Sequence, residues 1–297
     1  MLVGIITLFF LALLAAGGWF LSAVVARPKY FSLEEARKIE QDSGALGDYD
    51  LLDKTDYVIS SFDGYQLHAT FIPAAQDAKR YVIITHGYGY NRMGSVKYVH
   101  LFRGMGFHCV IYDSRGHGEN VRTANTMGKV EHLDLLKVIE DTYARYGQDI
   151  EIGLHGESMG SAVSVTALGE KPRVSFLVSD CGYADLTKIL SEQLKKQLHL
   201  PKWLIYPVSL MSKLRFGYSY GEVVPWKALA ENSVPVLFVH GEADTFIIPE
   251  HARILYERDA GPKELLLIPG AEHARSLATA PEEYARHVRA LIEGLAK

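Results

Sequence analysis

The chain predicts an α/β fold, a mostly parallel central sheet with helices on both faces, preceded by an N-terminal transmembrane helix. Three observations carry this expectation. Short, wholly apolar strand-like runs alternate with helical stretches, the pattern of a sheet buried on both faces. The run from Leu2 to Val25 holds no charged side chain, and about 20 apolar residues suffice to cross a bilayer as a helix. The stretch Ile150-Glu-Ile-Gly-Leu-His-Gly-Glu-Ser-Met-Gly160 reads as a strand that turns sharply into a helix, with Ser158 on the turn.

Composition narrows the function classes. The 297 residues are 48% hydrophobic and 22% charged, with a formal net charge of −4. That suits one large globular domain with appendages and argues against nucleic acid as a partner. Cys109 and Cys181 lie in apolar runs and read as small core residues. There is no Cys/His spacing of the metal-binding type and no phosphate-cradling glycine loop, so neither a metal nor an organic cofactor is expected.

The apolar run divides the chain at residue 26. Trp19 and Phe20 near its end, with Arg27 and Lys29 beyond, suit a membrane interface. A cleaved signal peptide is the competing reading, with a small-residue site at Val24-Val25-Ala26. The lack of a positive n-region and the length of the run favour a retained, single-pass anchor. The nearby positive charges (Arg27, Lys29, Arg37, Lys38) all lie after the run, which places the globular domain in the cytoplasm. Residues 27–53 read as a linker with a short helix over Leu33 to Gln41, opened by the capping box Ser32…Glu35.

From residue 54 the globular domain builds up element by element. Asp56 to Ser61 and Tyr65 to Ile72 form a hairpin around Asp63-Gly64. Strand Tyr81 to Thr85 precedes a helix over Ser95 to Met105, and strand Phe107 to Tyr112 precedes a helix over Val130 to Tyr146. After the strand and turn at Ser158 come a helix over Ser161 to Leu168 and a strand over Ser175 to Ser179. Alternation breaks from Ala184 to about Asn232. It resumes with strand Val236 to His240, helix Glu250 to Arg258, strand Leu265 to Ile268 and a last helix from Pro281 to Leu295.

Ligands bind at the carboxyl ends of the strands in such sheets, and chemistry-bearing residues stand there. His86-Gly-Tyr-Gly89 comes after one strand, Asp113-Ser-Arg-Gly-His-Gly118 after the next, Ser158 after the third, His240-Gly-Glu-Ala-Asp244 after a later one and His273 after the last. Gly156 and Gly160 flank Ser158 in the G-x-S-x-G spacing of a nucleophile elbow, where the backbone is strained and packs too closely for side chains.

With these motifs in the order Ser…Asp…His, the sequence from Asp56 onward resembles the α/β-hydrolase fold family, in its serine-aminopeptidase-like and carboxylesterase-like branch. The resemblance implies Ser158 as nucleophile, His273 as general base and acid, and Asp244 as the carboxylate that orients it. It also implies an oxyanion hole from the Tyr88 and Met159 backbone N–H groups, and a helical cap over about 186–230. Glu242 and Asp180 are the competitors of Asp244, while Asp113, Arg115 and His117 read as a structural loop. The aromatic and aliphatic residues of the cap either pack it onto the main domain or line an acyl pocket. The expected activity is hydrolysis of a small-molecule carboxylic ester, lipophilic or of short to medium acyl chain and with lipids such as monoacylglycerols in its range, through an acyl-enzyme. The alternatives are a peptidase or amidase of the same fold, a binding protein that has lost the chemistry, and a membrane-tethered interaction protein docking through the cap.

Overall fold

The computed structural model describes residues 1–76 and 78–295. Its first helix, α1 (Leu2–Ala26), is long and apolar enough to cross a membrane. The second, α2 (Leu33–Asp42), starts at the expected capping box, in which Ser32 Oγ accepts the Glu35 N–H and a Glu35 carboxylate oxygen accepts the Ser32 N–H.

The strands are β1 (Thr55–Ser60), β2 (Gln66–Ile72), β3 (Arg80–Thr85), β4 (His108–Tyr112), β5 (Glu151–Glu157), β6 (Phe176–Asp180), β7 (Val236–Gly241) and β8 (Lys263–Ile268). They form one sheet in the order β1-β2-β4-β3-β5-β6-β7-β8. The first hairpin is antiparallel and β2 runs antiparallel to β4, while every pairing from β4 to β8 is parallel. Helices α3 (Val96–Arg103), α4 (Glu131–Tyr146), α5 (Met159–Leu168), α6 (Leu186–Leu198), α7 (Ile205–Phe216), α8 (Glu250–Arg258), α9 (Ser276–Thr279) and α10 (Pro281–Gly294) complete the chain.

Side chains alternate between the two faces of each strand, so the sheet separates two cores. Ile83, Val110 and Leu154 face α4, α5 and the cap. Val82, Ile84, Cys109 and Val178 face α3 and α10. Boundaries agree with the expected ones to within a few residues. The notable difference is at the elbow, where β5 runs through Glu157 and α5 begins at Met159 instead of Ser161, leaving no loop on either side of Ser158.

The linker stretch does not hang free. The Phe31 N–H donates to Gly89 O at 3.1 Å, and Asn91 Nδ2 donates to Phe31 O at 3.0 Å. Tyr90 Oη donates to the buried Glu40 at 2.9 Å. Residues 31–40 therefore brace the loop after β3.

The last third of α1 is docked on the cap. Its buried residues Gly18, Ser22 and Ala26 recur every four positions, one face of a helix. Small residues let two helix backbones approach, and a Cβ on Gly18 would lie 2.9 Å from Pro207 O of α7. The two helices run in the same direction, since Gly18 meets Pro207 while Arg27 lies over the Phe216 ring at 5.7 Å. Arg215 of α7 donates to Trp19 O and to Ser22 Oγ. The neighbouring Gly17 faces open space. In detergent-solubilised full-length protein, Gly18→Leu is expected to destabilise the fold by roughly 1–3 kcal/mol through overpacking. Gly17→Leu, carrying the same gain in helix propensity, should not, as thermal unfolding of the pair would show.

Candidate active site

The elbow is built by close backbone approach. Ser158 sits at φ 57° and ψ −115°, a conformation that a non-glycine residue holds only when its surroundings impose it. A Cβ on Gly156 would stand 2.3 Å from Gly160 O, and one on Gly160 would stand 2.1 Å from Thr85 O. Both glycines are thus required by backbone on backbone. The Ser158 N–H is tied to Asp180 O at 2.8 Å.

The three residues expected as a catalytic set, each past a different strand, meet here. Ser158 Oγ lies 3.0 Å from His273 Nε2, and His273 Nδ1 lies 2.7 Å from Asp244 Oδ2. The carboxylate acceptor places the imidazole proton on Nδ1 and leaves Nε2 to accept the serine hydroxyl proton. Asp244 is fixed from below by the Phe246 and Ile247 N–H groups, at 2.8 and 2.9 Å from its Oδ1. Burial pushes the Asp244 carboxyl up, but hydrogen bonds from His240 and His273 outweigh it and hold the group well below the usual carboxylate range. Glu242, its competitor, is exposed. The other competitor, Asp180, points elsewhere, to the hydroxyls of Tyr98 and Tyr284, each at 3.0 Å.

The loop after β3 lies against the nucleophile, since a Cβ on Gly87 would come within 3.5 Å of Ser158 Cβ. Among the described residues, the Tyr88 N–H has no acceptor. Met159 is the first residue of α5, where helical N–H groups lack intrahelical partners. The two expected oxyanion donors therefore flank Ser158 uncommitted. The Asp113–His117 loop is structural, as its residue types suggest. Asp113 pairs with Arg92, Arg115 with Asp63 and Asp134, and His117 Nε2 accepts the Gly89 N–H at 3.1 Å, fixing the loop after β3.

Three features are not legible in the sequence. His240, whose place before a loop glycine reads as packing or hydrogen-bonding at a strand end, does donate to Ile247 O at 2.7 Å, but it also lies 3.2 Å from Asp244 Oδ2, which that reading does not indicate. Its place four residues before Asp244 is the available signal. The Tyr88 hydroxyl donates to Val25 O at 2.7 Å and Val24 O at 3.0 Å, and the Asn125 N–H donates to Ala26 O at 2.8 Å. These bonds satisfy carbonyls that the end of α1 would otherwise leave unpaired, and nothing local in the sequence indicates them. Finally, Glu157 beside the nucleophile pairs with the half-buried Lys97 and accepts from Tyr98 Oη at 2.6 Å.

Two cavities meet at Ser158. One, of about 590 Å³, is walled in part by α2 and carries Lys97, Glu157, Glu40 and Arg275. The other, of about 320 Å³, is apolar and lies under the cap, reaching Ser158 and Met159. The cap side chains divide: Tyr218 and Tyr220 are buried in the core, Ile205 and Leu198 line the apolar cavity, and Trp203, Tyr206 and Leu210 stand exposed.

Comparison with known proteins bears on the family and the fold. The sequence profile of the serine aminopeptidase (S33) hydrolases matches residues 76–206. An esterase of Pyrococcus furiosus shares the fold at a TM-score of 0.70 and 24% identity, over 83% of this chain and 93% of its own. The chain belongs to the α/β-hydrolase family. Bacillus subtilis YqkD, an uncharacterized protein, is 32% identical over 267 residues, covering 88% of this chain and 87% of that relative. Escherichia coli YfhR, also uncharacterized, is 26% identical over 220 residues, 71% of this chain and 70% of its own. An acylaminoacyl peptidase of Pyrococcus horikoshii shares the fold at a TM-score of 0.62 and 16% identity, over 82% of this chain and 41% of its own.

The buried network beside the elbow has a pH signature. Burial pushes the Asp180 carboxyl up to about 6, and the charge of Glu157 adds to it. In an unfolded chain such a group titrates near about 4. The folded protein thus binds this proton more tightly, and its contribution to stability, present below pH ~4, is lost as pH rises through about 6. The loss is at most about 3 kcal/mol. Asp180→Asn removes the titration, so the stability of the variant relative to wild type is expected to improve from pH ~5 to pH ~8 in paired thermal unfolding runs.

Proposed function

We propose that the chain is a serine hydrolase that cleaves lipophilic carboxylic esters through an acyl-enzyme. The observation that carries this reading is the relay from Ser158 Oγ through His273 to Asp244. His273 Nε2 takes the Ser158 proton as Oγ attacks the ester carbonyl. Asp244 stabilises the resulting imidazolium, and the Tyr88 and Met159 N–H groups receive the oxyanion. Collapse releases the alcohol with a proton from His273. Water, deprotonated by the same imidazole, then frees the acid. No step calls for a metal or organic cofactor.

An ester is favoured over a peptide by the surroundings of Ser158. The carboxylate next to Ser158, Glu157, is paired with Lys97, which weakens it as a partner for the substrate ammonium of an aminopeptidase. The apolar cavity under the cap suits an acyl chain.

The hydrolase is also read as a retained single-pass membrane protein, with domains 1–26, 27–53 and 54–297. Cleavage after Ala26 would leave the Tyr88 hydroxyl and the Asn125 N–H without their acceptors, which favours retention over a signal peptide. The positive charges of Arg27, Lys29, Arg37 and Lys38, all after the helix, support a cytoplasmic domain.

A fluorophosphonate probe is expected to label wild type and not Ser158→Ala, and an unlabelled wild type overturns the reading. Turnover of acyl esters should fall about ten-thousand-fold or more in Ser158→Ala, and roughly a thousand-fold or more in Asp244→Asn. Faster turnover of aminoacyl amides than of acyl esters by wild type would establish the peptidase instead.

A further inference from the structure

The apolar cavity at Ser158 has an unusual wall. On one side stand Leu194 and Leu198 of α6 and Ile205 of α7, as a cap predicts. On the other stand Leu21, Val24 and Val25, the last turns of the helix long enough to span a bilayer. Val24 and Leu198 both line the cavity and stand about half exposed, at 53% and 49%, so the rim of the cavity lies between α1 and α6.

The helix is held there by more than apolar contact. Its terminal carbonyls accept from Tyr88 and Asn125, and its small face meets α7 backbone. Because α1 and α7 run in the same direction, the start of α7 points back toward the exposed part of α1. Trp203 and Tyr206 stand exposed at that end, as aromatic residues do at a membrane surface. From Gly18 to Val24 the helix rises about 9 Å. The rim of the cavity therefore lies less than two helical turns beyond the exposed part of α1.

We propose that α1 is part of the substrate site: its last turns form one wall of the acyl pocket, and the substrate is a single-chain acyl ester of a polar alcohol whose chain enters between α1 and α6 from the bilayer side. The assignment rests on the serine-esterase reading. The alcohol lies in the opposite cavity, where Lys97, Glu157 and Arg275 supply charge. The Tyr88 hydroxyl binds α1 while the Tyr88 N–H faces the oxyanion. The same residue thus joins the membrane helix to the reacting carbonyl.

The test uses the full-length protein in nanodiscs and a long-chain alkyl fluorophosphonate with a diazirine near the chain end. Ser158 Oγ displaces fluoride and forms a P–O bond, which tethers the alkyl chain at the nucleophile. After irradiation, cross-links are expected on peptides covering residues 19–27 and 189–198. Cross-links confined to residues 39–45 or 274–278, the opposite cavity, would overturn the proposal with the hydrolase reading intact. A wild type that takes no probe at Ser158 removes both. A second measurement compares p-nitrophenyl dodecanoate with p-nitrophenyl butyrate. Leu21→Trp, which fills the pocket from α1, should lower the ratio of their kcat/KM values by about tenfold. Phe20→Trp, one residue away on the exposed side of α1, should leave the ratio as in wild type. An unchanged ratio in an active Leu21→Trp enzyme also overturns the proposal.

Discussion

The contact between two backbones at Gly160 and Thr85 governs the construction of the whole site. With no side chain at either glycine of the elbow, α5 starts directly against the end of β3, and Ser158 is forced into a left-handed conformation at the top of the sheet. That placement brings its hydroxyl to His273, leaves the Met159 N–H at the head of α5, and sets the loop after β3 alongside. Conformational strain on the order of 1–3 kcal/mol is held by this packing. It keeps the Ser158 hydroxyl oriented toward His273.

Around this point the protein has arranged two different neighbours. On the α2 side, residues that read as a linker in the sequence support the loop after β3, Phe31 through Gly89 and Asn91 and Glu40 through Tyr90. On the cap side, α1 supplies carbonyl acceptors to Tyr88 and Asn125 and an apolar wall to the cavity. The N-terminal segment therefore embraces the loop that carries Tyr88 from both directions. Because α1 bonds the Tyr88 side chain and lines the apolar cavity, removing this helix would change the candidate site itself.

Much of the site is legible in the sequence because parallel sheets place their functional loops at one edge. Ser158, Asp244 and His273 each come after an apolar strand, and the glycines at 156 and 160 mark the turn. The competitor Glu242 is separable from Asp244 in sequence only by depth in its loop, and burial separates them in the structure. His240 shows the limit of the approach. Its position before a loop glycine indicates a packed strand end, and it is one, but its second contact with Asp244 depends on how the loop from Gly241 to Ile247 folds back.

The sequence by itself determined the family, the order of the strands' functional loops and the apolar character of the first 26 residues, because each is written in local pattern: periodicity, glycine spacing and an uncharged run. Only the tertiary structure decided what that first helix touches. Gly18, Ser22 and Ala26 do not stand out in a run of apolar residues, and they acquire meaning when α7, nearly two hundred residues later, packs on them. The division of the cap's apolar residues among core, cavity and surface was likewise undetermined, since all three roles draw on apolar side chains and are separated only by where each one packs in the fold.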